Sequence, residues 1–401
     1  MSLAVIETHP IQYHAPVYRA LQQNLGVPVT AIYGSDFSVA GYRDGEFGAV
    51  FAWDTDLLTG YTSHFLSRSA AGGARCDTEA TTRGLRDALR KAAPEAVLIV
   101  GYSPRFHRRA FLTAWRAGYP ILFRAETNDS DQRSGGLKVW MRDQALRWLY
   151  ARCQRLLYIG QRSKQHFERL GCPESKLVFS PYCVDATPFQ TDESARDRLR
   201  GATRAALNIP TDKAVILFSG KLSKRKGPDL LLQSIKLLAA PMRDRVVVLF
   251  VGSGNLQPRL QTLALQPPAI GTRFVGFQNQ KQLSQYYHAA DLLVLPSLNS
   301  ETWGLVVNDA LHHGLPCIVS DAVGCAPDLI EPGVTGGMFP SGSASGLATA
   351  IAGFLPLMNL AEIRAKCRMK VGAYTIEKAA EGIAQAYSGA ALHPRPMVQC
   401  A

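Results

Sequence analysis

The sequence lacks the marks of several large protein classes. It has no apolar run near the roughly 20 residues of a membrane-spanning helix, no C-x-x-C pair and no glycine-rich loop ending in Lys-Ser or Lys-Thr. No zinc-ligand spacing or RNP-like aromatic cluster is present either, so nucleic acid is not an expected partner. The first strand-like run, LAVIE at 3–7, begins without a charged leader, which favours a cytoplasmic protein. The 8 cysteines are scattered along the chain and are expected to be free, buried thiols.

Basic residues are in excess, and the formal net charge is +12. They are concentrated in SPRFHRR at 103–109 and in the stretch 141–164, which contains Arg142, Arg147, Arg152 and Arg155. Such a helix either rests on an anionic lipid surface or binds an acidic acceptor. The alternative is a solvated face above a core-facing stripe made of Leu146, Trp148, Leu149 and Tyr150.

The length of 401 residues predicts two domains. In the N-terminal half, strand patterns alternate with helical patterns, which predicts a parallel sheet in an α/β domain. These strands are expected near 3–7, 28–33, 96–101, 120–125, 155–160 and 176–180. The polar, Pro-containing segment YCVDATPFQTDESARDRL predicts the linker to the second half.

The passage from Ala289 to Ile330 combines a strand, an acidic loop, a helix and a second strand. The run from Asp291 to Pro296 is rich in Leu and Val, as in a strand buried on both faces. A helix is expected to open at Trp303-Gly304. Its first backbone N–H groups, on Gly304, Leu305 and Val306, would suit an anion such as a diphosphate.

Two acids lie on this loop and helix. Glu301 would be repelled by a diphosphate unless it bonds something neutral, and sugar hydroxyls are suitable donors. Asp309 lies one turn beyond Leu305 on the same helical face and suits a ribose. In any doubly wound domain, the same pattern could also be an acidic surface loop followed by an ordinary amphipathic helix.

A basic loop lies further upstream, in AVILFSGKLSKRKGPDLLLQSI. A strand over 214–219 is followed by Lys221 and Lys226 between Gly220 and Gly227, and then by a helix. Two cations are what a leaving diphosphate needs when no metal supplies the charge. Taken alone, the loop could equally be a solvated turn. A third loop, at Gly252-Ser253-Gly254, fits a tight strand-to-helix turn but is weak support for a nucleotide site.

The segment ETWGLVVNDALHHGLPCIVSD has a Glu, seven intervening residues and a second acid, and it resembles the signature of glycosyltransferase family 4. The resemblance implies the GT-B architecture, in which two Rossmann-like parallel-sheet domains face a central cleft. It also implies that Glu301 binds the donor sugar, Asp309 the ribose, and Lys221 and Lys226 the diphosphate. This chain has Asp at 309 where Glu is usual, and Lys at 221 where Arg is frequent. Gly324-Cys325 stands in place of a glycine pair, with Asp328 where Glu is common.

The resemblance, together with the loops that follow the predicted strands, assigns residues to the donor side and the acceptor side. The donor-binding candidates are Gly220, Lys221, Lys226, Gly252, Gly276, Phe277, Glu301, Trp303, Gly304, Leu305, Val306 and Asp309. The loop ETHPIQYHAP resembles an N-terminal loop found in part of the family, and two further loops follow later strands; the acceptor-side candidates in these loops are His9, Gln12, Tyr13, His14, Tyr102, Arg124 and Glu126. The candidates for catalysis are Glu301, Lys226, Lys221, Glu126 and His14.

The function implied is that of a metal-independent, retaining glycosyltransferase. It would move a sugar from a nucleotide diphosphate sugar, with a UDP-sugar favoured, to an unidentified acceptor in polysaccharide, glycolipid or small glycoconjugate biosynthesis. The leaving phosphate would take the acceptor proton on the same face, and a Glu126 nucleophile stays open. No metal and no cofactor is expected. The expected location is the cytoplasm, with peripheral contact at the inner face of the membrane through the basic surface as an option.

The family's domain plan implies residues 1–186 for the acceptor-binding domain and 187–373 for the donor-binding domain. A C-terminal helix at 374–392 would cross back to the first domain, and a loose tail would follow at 393–401. Three alternatives remain. One is a metal-dependent transferase using Asp54-Thr55-Asp56 or Asp129-Ser130-Asp131. The second is a GT-B enzyme of another reaction, such as an epimerase or phosphorylase. The third is a non-catalytic subunit that binds sugar nucleotides.

Overall fold

The computed structural model describes residues 2–43, 50–51, 55–127, 129, 136–299, 301–358 and 360–391. The chain forms two compact units. Unit 1 comprises Met1–Tyr42, Val50–Asp185 and the chain from Tyr374 onward, and unit 2 comprises Ala186–Ala373 with Arg43–Ala49. These limits lie beside the domain limits expected at 186/187 and 373/374. The tail expected at 393–401 lies outside the described residues, as do Asp54, Ser130 and Asp131.

Strands and helices alternate along most of the described chain. The strands are β1 (Leu3–Glu7), β2 (Val29–Tyr33), β3 (Tyr42–Arg43), β4 (Val50–Phe51), β5 (Thr62–Phe65), β6 (Ala96–Val100), β7 (Ile121–Arg124), β8 (Arg155–Tyr158), β9 (Leu177–Phe179), β10 (Ala214–Ser219), β11 (Val246–Val251), β12 (Gly271–Phe274), β13 (Leu292–Leu295), β14 (Cys317–Ser320) and β15 (Gly336–Phe339). The α-helices are α1 (Ala15–Gln23), α2 (Phe37–Ala40), α3 (Leu85–Ala92), α4 (Arg105–Arg116), α5 (Leu137–Ala151), α6 (Gln161–Arg169), α7 (Glu193–Ala206), α8 (Pro228–Lys236), α9 (Ala240–Arg243), α10 (Gln257–Leu265), α11 (Leu283–Ala289), α12 (Val306–His312), α13 (Ala326–Leu329), α14 (Ala344–Phe354), α15 (Ala361–Val371) and α16 (Ile376–Ala391). No single helix in these ranges is long and apolar enough to cross a membrane.

Unit 1 is built on a seven-stranded sheet with the order β5-β2-β1-β6-β7-β8-β9. All the described pairings in it are parallel. The central β1 is buried along its whole length, which fits a parallel strand covered by helices on both faces. The six strands predicted for this half are all present. The edge strand β5 was missed because its TSHF sequence lacks the Val and Ile that mark a buried strand.

The last helix, α16, packs on the sheet and on α1 within unit 1. Small side chains let it approach closely, since a Cβ at Gly382 would lie 2.0 Å from the carbonyl oxygen of Phe179. The Ser180 hydroxyl donates to the Ala379 carbonyl at 2.9 Å, and the Tyr387 hydroxyl donates to Glu95 at 2.7 Å. The C-terminal helix therefore completes the core of unit 1.

Unit 2 contains a six-stranded parallel sheet with the order β12-β11-β10-β13-β14-β15. The strand order reverses between β10 and β13, because the chain first builds outward from β10 on one side and then from β13 on the other. Loops diverge at such a switch point, and ligands of α/β sheets bind there, outside the carboxyl ends of the strands.

The segment predicted to be a linker is helical in its second half. The Asp192 carboxylate accepts from the Ala195 N–H at 2.8 Å and caps α7. Arg204, at the end of α7, then pairs with the buried Asp291 at 2.6 Å, and Arg200 pairs with the same carboxylate at 2.5 Å. The linker prediction was wrong for this second half. It took the DESARDRL run as an irregular polar connection and overlooked Asp192 as the N-cap of a helix.

Glycines bring backbone against backbone at the carboxyl edge of the unit 2 sheet. Gly252 has φ +130°, and a Cβ on it would lie 2.0 Å from the Gly220 carbonyl oxygen. The Gly252 N–H donates to the Gly276 carbonyl at 2.8 Å, while the Gly220 N–H donates to Val251 at 2.9 Å. The loops after three neighbouring strands are thereby tied together without side chains between them.

We predict that Gly252→Ala destabilises the fold by about 2 kcal/mol or more, because the new methyl group must displace backbone. For a unit of this size, that corresponds to a melting temperature lower by roughly 4–8 °C. The control is Gly201→Ala in α7, where nothing lies within 4 Å of the new methyl group, so helix propensity should leave the protein equal or more stable. Equal melting temperatures for Gly252→Ala and the wild type would contradict the packing argument.

Candidate functional site

The basic loop after β10 and the acidic loop after β13 meet at the switch point of unit 2. The Leu298 N–H donates to the Arg225 carbonyl at 2.9 Å. Gly227 has φ +63°, and a Cβ there would lie 2.5 Å from the Pro296 carbonyl oxygen. Only a glycine permits this approach, so the two predicted motifs are brought into direct contact.

The centre of the contact is the carboxylate of Glu301. Its Oε2 atom lies 2.5 Å from Lys226 Nζ and accepts from the Ser297 hydroxyl at 2.8 Å. Arg225 approaches the same oxygen at 3.6 Å. The side chain is 9% exposed, so these partners compensate a charge that burial would otherwise make costly.

The backbone of Glu301 is held by the loop before α13. The Glu301 carbonyl accepts from the Gly324 N–H at 2.9 Å. A Cβ at Gly324 would lie 1.8 Å from the Thr302 carbonyl oxygen, so this position has room only for glycine. Cys325 and Asp328, which follow it, are buried. The family-like Gly324-Cys325 pair therefore fixes the acidic loop.

Asp309 lies inside α12 and is buried. Among the described residues, its Oδ1 atom has no hydrogen-bond partner, and the Tyr287 hydroxyl is 3.5 Å from Oδ2. Burial raises the pKa of Asp309 to about 7, and the Tyr287 hydroxyl opposes the shift only in part. A carboxylate with an unpartnered oxygen in such a place is suited to accept from ligand hydroxyls.

The turn between Glu301 and Asp309 differs from the expected helix start. α12 begins at Val306, two residues later than predicted, because Gly304 has φ +98° and cannot continue a right-handed helix. Trp303 is buried, and its indole N–H donates to Asn308 at 2.8 Å. The indole ring therefore fixes the turn from within, while Gly304, Leu305 and Val306 lead into the first turn of the helix.

The remaining donor-side candidates follow β10, β11 and β12 at the same carboxyl edge. Lys221 follows Gly220 and is half-buried, and the next N–H, of Leu222, donates to Ser253 at 2.9 Å. Gly276 forms a bridge with Gly252, and the half-buried Phe277 comes next. The loop contacts thus gather candidates from several separate motifs at one edge.

In unit 1, a buried pair forms at the end of β1. His14 Nδ1 lies 2.5 Å from Glu7 Oε1, and both side chains are buried. Among the described residues, neither His14 Nε2 nor Gln12 Oε1 has a hydrogen-bond partner. Sequence reasoning named His14 and Gln12 but missed Glu7. Its position as an acid at the carboxyl end of the first strand was the available signal.

The aromatic ring of Tyr182 links four acceptor-side candidates. Its hydroxyl hydrogen-bonds to Glu126, and the rings of His14 and Tyr13 lie 5.7 Å and 6.4 Å from it. The Arg124 guanidinium lies 5.5 Å from its centroid and donates to the Pro181 carbonyl at 2.8 Å. Tyr182 was missed because it lies in the segment predicted as a linker.

Two other acceptor-side candidates have structural partners. His9 contacts the Thr8 hydroxyl at 2.9 Å, and its ring packs at a tilt of 37° against Phe37; burial lowers the pKa of its imidazole to about 4. It is therefore neutral at pH 7. Tyr102 packs half-buried against the hydrophobic core on the other side of the sheet.

The described part of the D-x-D triplets is engaged in other bonds. Asp129 lies 2.8 Å from His166 Nδ1 and accepts from Arg169 at 2.7 Å, and these partners help to hold the pKa of its carboxyl well below the usual range although burial opposes them. Among the described residues, no group of three or more His, Cys, Asp and Glu side chains is arranged to hold a metal ion.

The chain thus combines two parallel α/β sheets, in separate units, with a cluster of cations and acids at the switch point of the unit 2 sheet. Residues 200–370 match the family described as glycosyl transferases group 1. The chain is 37% identical over 172 residues to the D-inositol 3-phosphate glycosyltransferase of Saccharomonospora viridis, covering 40% of this chain and 39% of the relative. With that of Geodermatophilus obscurus the identity is 29%, covering 57% of this chain and 51% of the relative. The chain thus spans about half or less of these relatives.

The likeness to solved structures extends over nearly the whole chain. The Anabaena HepE protein in complex with UDP has a TM-score of 0.69 at 16% identity, covering 97% of this chain and all of the other. At this identity the likeness shows the fold, which is GT-B as expected from the resemblance to family 4.

The raised pKa of Asp309 predicts a pH-dependent stability. The native pKa of about 7 exceeds the unfolded value near 4, so the native state holds more protons between these values, and stability from this group falls as pH rises towards 7. Asp309→Asn removes the titration. The melting temperature of the variant relative to the wild type should therefore increase from pH 5 to pH 8. A constant difference across that range would contradict the assignment.

Proposed function

We propose that this protein is a glycosyltransferase that transfers a sugar from a nucleotide diphosphate sugar to an acceptor hydroxyl. The observation that carries the proposal is the contact between Lys226 and Glu301 at 2.5 Å. It joins the cationic loop and the acidic loop at the switch point of a group 1 domain. Unit 2 is proposed to bind the donor, and unit 1 the acceptor.

The Lys226–Glu301 pair is suited to exchange partners when a donor binds. A diphosphate carries more charge than one carboxylate, so it would draw the Lys226 ammonium away and add the cation of Lys221. Glu301 keeps Ser297 and Arg225 as partners and is then able to accept from hydroxyls of the sugar. Asp309, with its unpartnered oxygen, is proposed to accept from the ribose.

The proposed donor is a UDP-sugar. Its support is the fold likeness to HepE, which has been solved in complex with UDP, and with UDP-glucose at a TM-score of 0.67. The structural neighbour starch synthase IV from Arabidopsis thaliana has been solved with ADP. Uracil as the base of the donor is therefore a more specific proposal than a nucleotide diphosphate sugar as the donor.

The proposed chemistry retains the anomeric configuration and requires no metal. Lys221 and Lys226 stabilise the negative charge that develops on the leaving diphosphate, and the phosphate oxygen takes the proton of the attacking hydroxyl. Acceptor binding is assigned to Tyr182 and to the residues around it, which are Tyr13, His14, Arg124 and Glu126. The Glu7 carboxylate sets the orientation of His14. Glu126 is held by Tyr182, which argues for a positioning role over a nucleophilic one. We place the protein in the cytoplasm, with peripheral contact at the inner face of the membrane.

The donor is the first property to test. Thermal shift against UDP, GDP, ADP and their common sugars, with and without EDTA, should show a rise in melting temperature for one base only. A ligand at 100 times its Kd adds about 2.7 kcal/mol, and EDTA should leave the shift unchanged. A shift that EDTA abolishes would favour a metal-dependent enzyme, and no shift with any nucleotide would overturn the proposal.

The site assignment predicts that Lys226→Ala and Glu301→Ala each lower turnover of that donor by about 100-fold or more, because each removes a group that meets developing charge or orients the sugar. Nucleotide release measured across a panel of acceptors is the readout. Lys224→Ala is the matched control, since this exposed lysine lies on the same loop, and its activity should stay within about twofold. Wild-type turnover in either site variant would refute the assignment. Tight donor binding by the wild type without turnover would identify a non-catalytic subunit, and turnover without any acceptor would identify another GT-B reaction.

A further inference from the structure

Helix α5 of unit 1 is apolar on two faces. Leu146, Leu149 and Tyr150 are buried in the core. The opposite face carries large apolar side chains that are well exposed, namely Leu137 (70%), Trp140 (60%), Met141 (58%) and Trp148 (41%). Their spacing of three, four and seven residues places them on one side of the helix. A soluble surface rarely leaves such a contiguous patch uncovered.

The neighbouring helix α4 adds positive charge beside this patch. Trp148 lies 5.5 Å from Trp115 and 6.2 Å from Phe111 on α4, measured between ring centroids, so the two helices share one surface. The outward residues of α4 include the exposed Arg105, Arg108, Arg109 and Arg116. We call the exposed faces of α4 and α5 together the α4–α5 surface.

The charge of this surface has one sign. The two helices contain seven Lys and Arg residues and one acid, Asp143. Asp143 is buried, accepts from Arg169 at 2.5 Å and lies 3.5 Å from Arg142, so the four exposed arginines of α4 are left without an acid on either helix. Arg152 lies 3.8 Å over the Trp148 ring, which places a cation directly above the apolar patch.

We propose that the α4–α5 surface docks unit 1 on an anionic lipid bilayer. Indole rings favour the boundary between headgroups and acyl chains. Arginines bind the phosphate layer with their guanidinium groups, while the aliphatic parts of their side chains lie along the apolar surface. Apolar residues on the outward face with cations on both sides are the composition of an interfacial helix. The occupant is identified by charge complementarity, because a bilayer rich in acidic headgroups presents negative charge over apolar tails. The inference does not depend on the proposed reaction.

Sedimentation with sucrose-loaded vesicles tests the proposal on the full chain. Vesicles of phosphatidylcholine with phosphatidylglycerol should bind the protein, pure phosphatidylcholine vesicles should bind it at least about tenfold more weakly, and added salt should release it. The double variant Trp140→Ala/Met141→Ala should lose about tenfold or more in partitioning, and Arg108→Gln/Arg109→Gln should lose a similar amount. The matched control is Leu265→Ala/Met369→Ala, which removes two equally exposed apolar side chains from unit 2 (78% and 75%) and should bind as the wild type does.

Several results would overturn the proposal. They are absence of binding by the wild type, equal binding to neutral vesicles, and retained binding by the Trp140→Ala/Met141→Ala variant. A dimer in light scattering that this variant dissociates, without vesicle binding, would assign the surface to a second copy of the chain. Thermal shift with the nucleotide sugar is run on the same samples. An unchanged shift shows that the donor site is intact, so failure of docking and failure of the proposed function are distinguishable.

Discussion

Unit 2 depends on the close approach of main chains at the carboxyl edge of its parallel sheet, at the point where the strand order reverses and beside it. The hydrogen bonds from Gly252 to Gly276 and from Leu298 to Arg225 hold four loops at distances that a single methyl group would disrupt. Because main-chain contacts define the shape of this edge, the side chains of Lys226 and Glu301 do not have to hold the loops together and can bind a charged or polar ligand. Glycine at these points is a requirement of geometry, and the positions of Lys226 and Glu301 follow from it.

The structure balances charges in two different ways. Pairs such as Arg204–Asp291 and Arg169–Asp129 join elements within a unit. The Lys226–Glu301 pair is geometrically similar, yet it lies at a sheet edge where ligands of this architecture bind. An ion pair there holds both side chains in a fixed orientation before a ligand arrives, which reduces the reorganisation that binding requires. Burial raises the pKa of Asp309, and among the described residues only the Tyr287 hydroxyl, at 3.5 Å, approaches its carboxylate as a side-chain hydrogen-bond donor.

Much of the fold could be predicted from sequence, as could the two motifs that meet at the edge of the unit 2 sheet, whereas most of the contacts around Tyr182 could not. The Leu- and Val-rich strands and the Gly-bounded loops have local signals, so unit 2 and its motifs were found. The start of α12 was misplaced because a left-handed Gly304 is invisible in a propensity pattern. Glu7 and Tyr182 were missed because their roles arise from contacts between distant segments, such as Tyr182 with Tyr13, His14 and Glu126. The role of Trp148 was also misjudged, because its helix is apolar on both faces and periodicity does not say which face is inward.

The placement of α16 has a consequence for the order in which the protein is made. This helix covers one face of the unit 1 sheet, but it is synthesised last, after residues 186–373 of unit 2. Until then, unit 1 exposes the apolar surface that Ala379, Ile383 and Ala386 later cover. Unit 2 can therefore complete its structure during synthesis, while unit 1 must wait for its last helix. A prematurely terminated chain would carry a finished unit 2 beside an open core, which is the kind of surface that chaperones and proteases recognise.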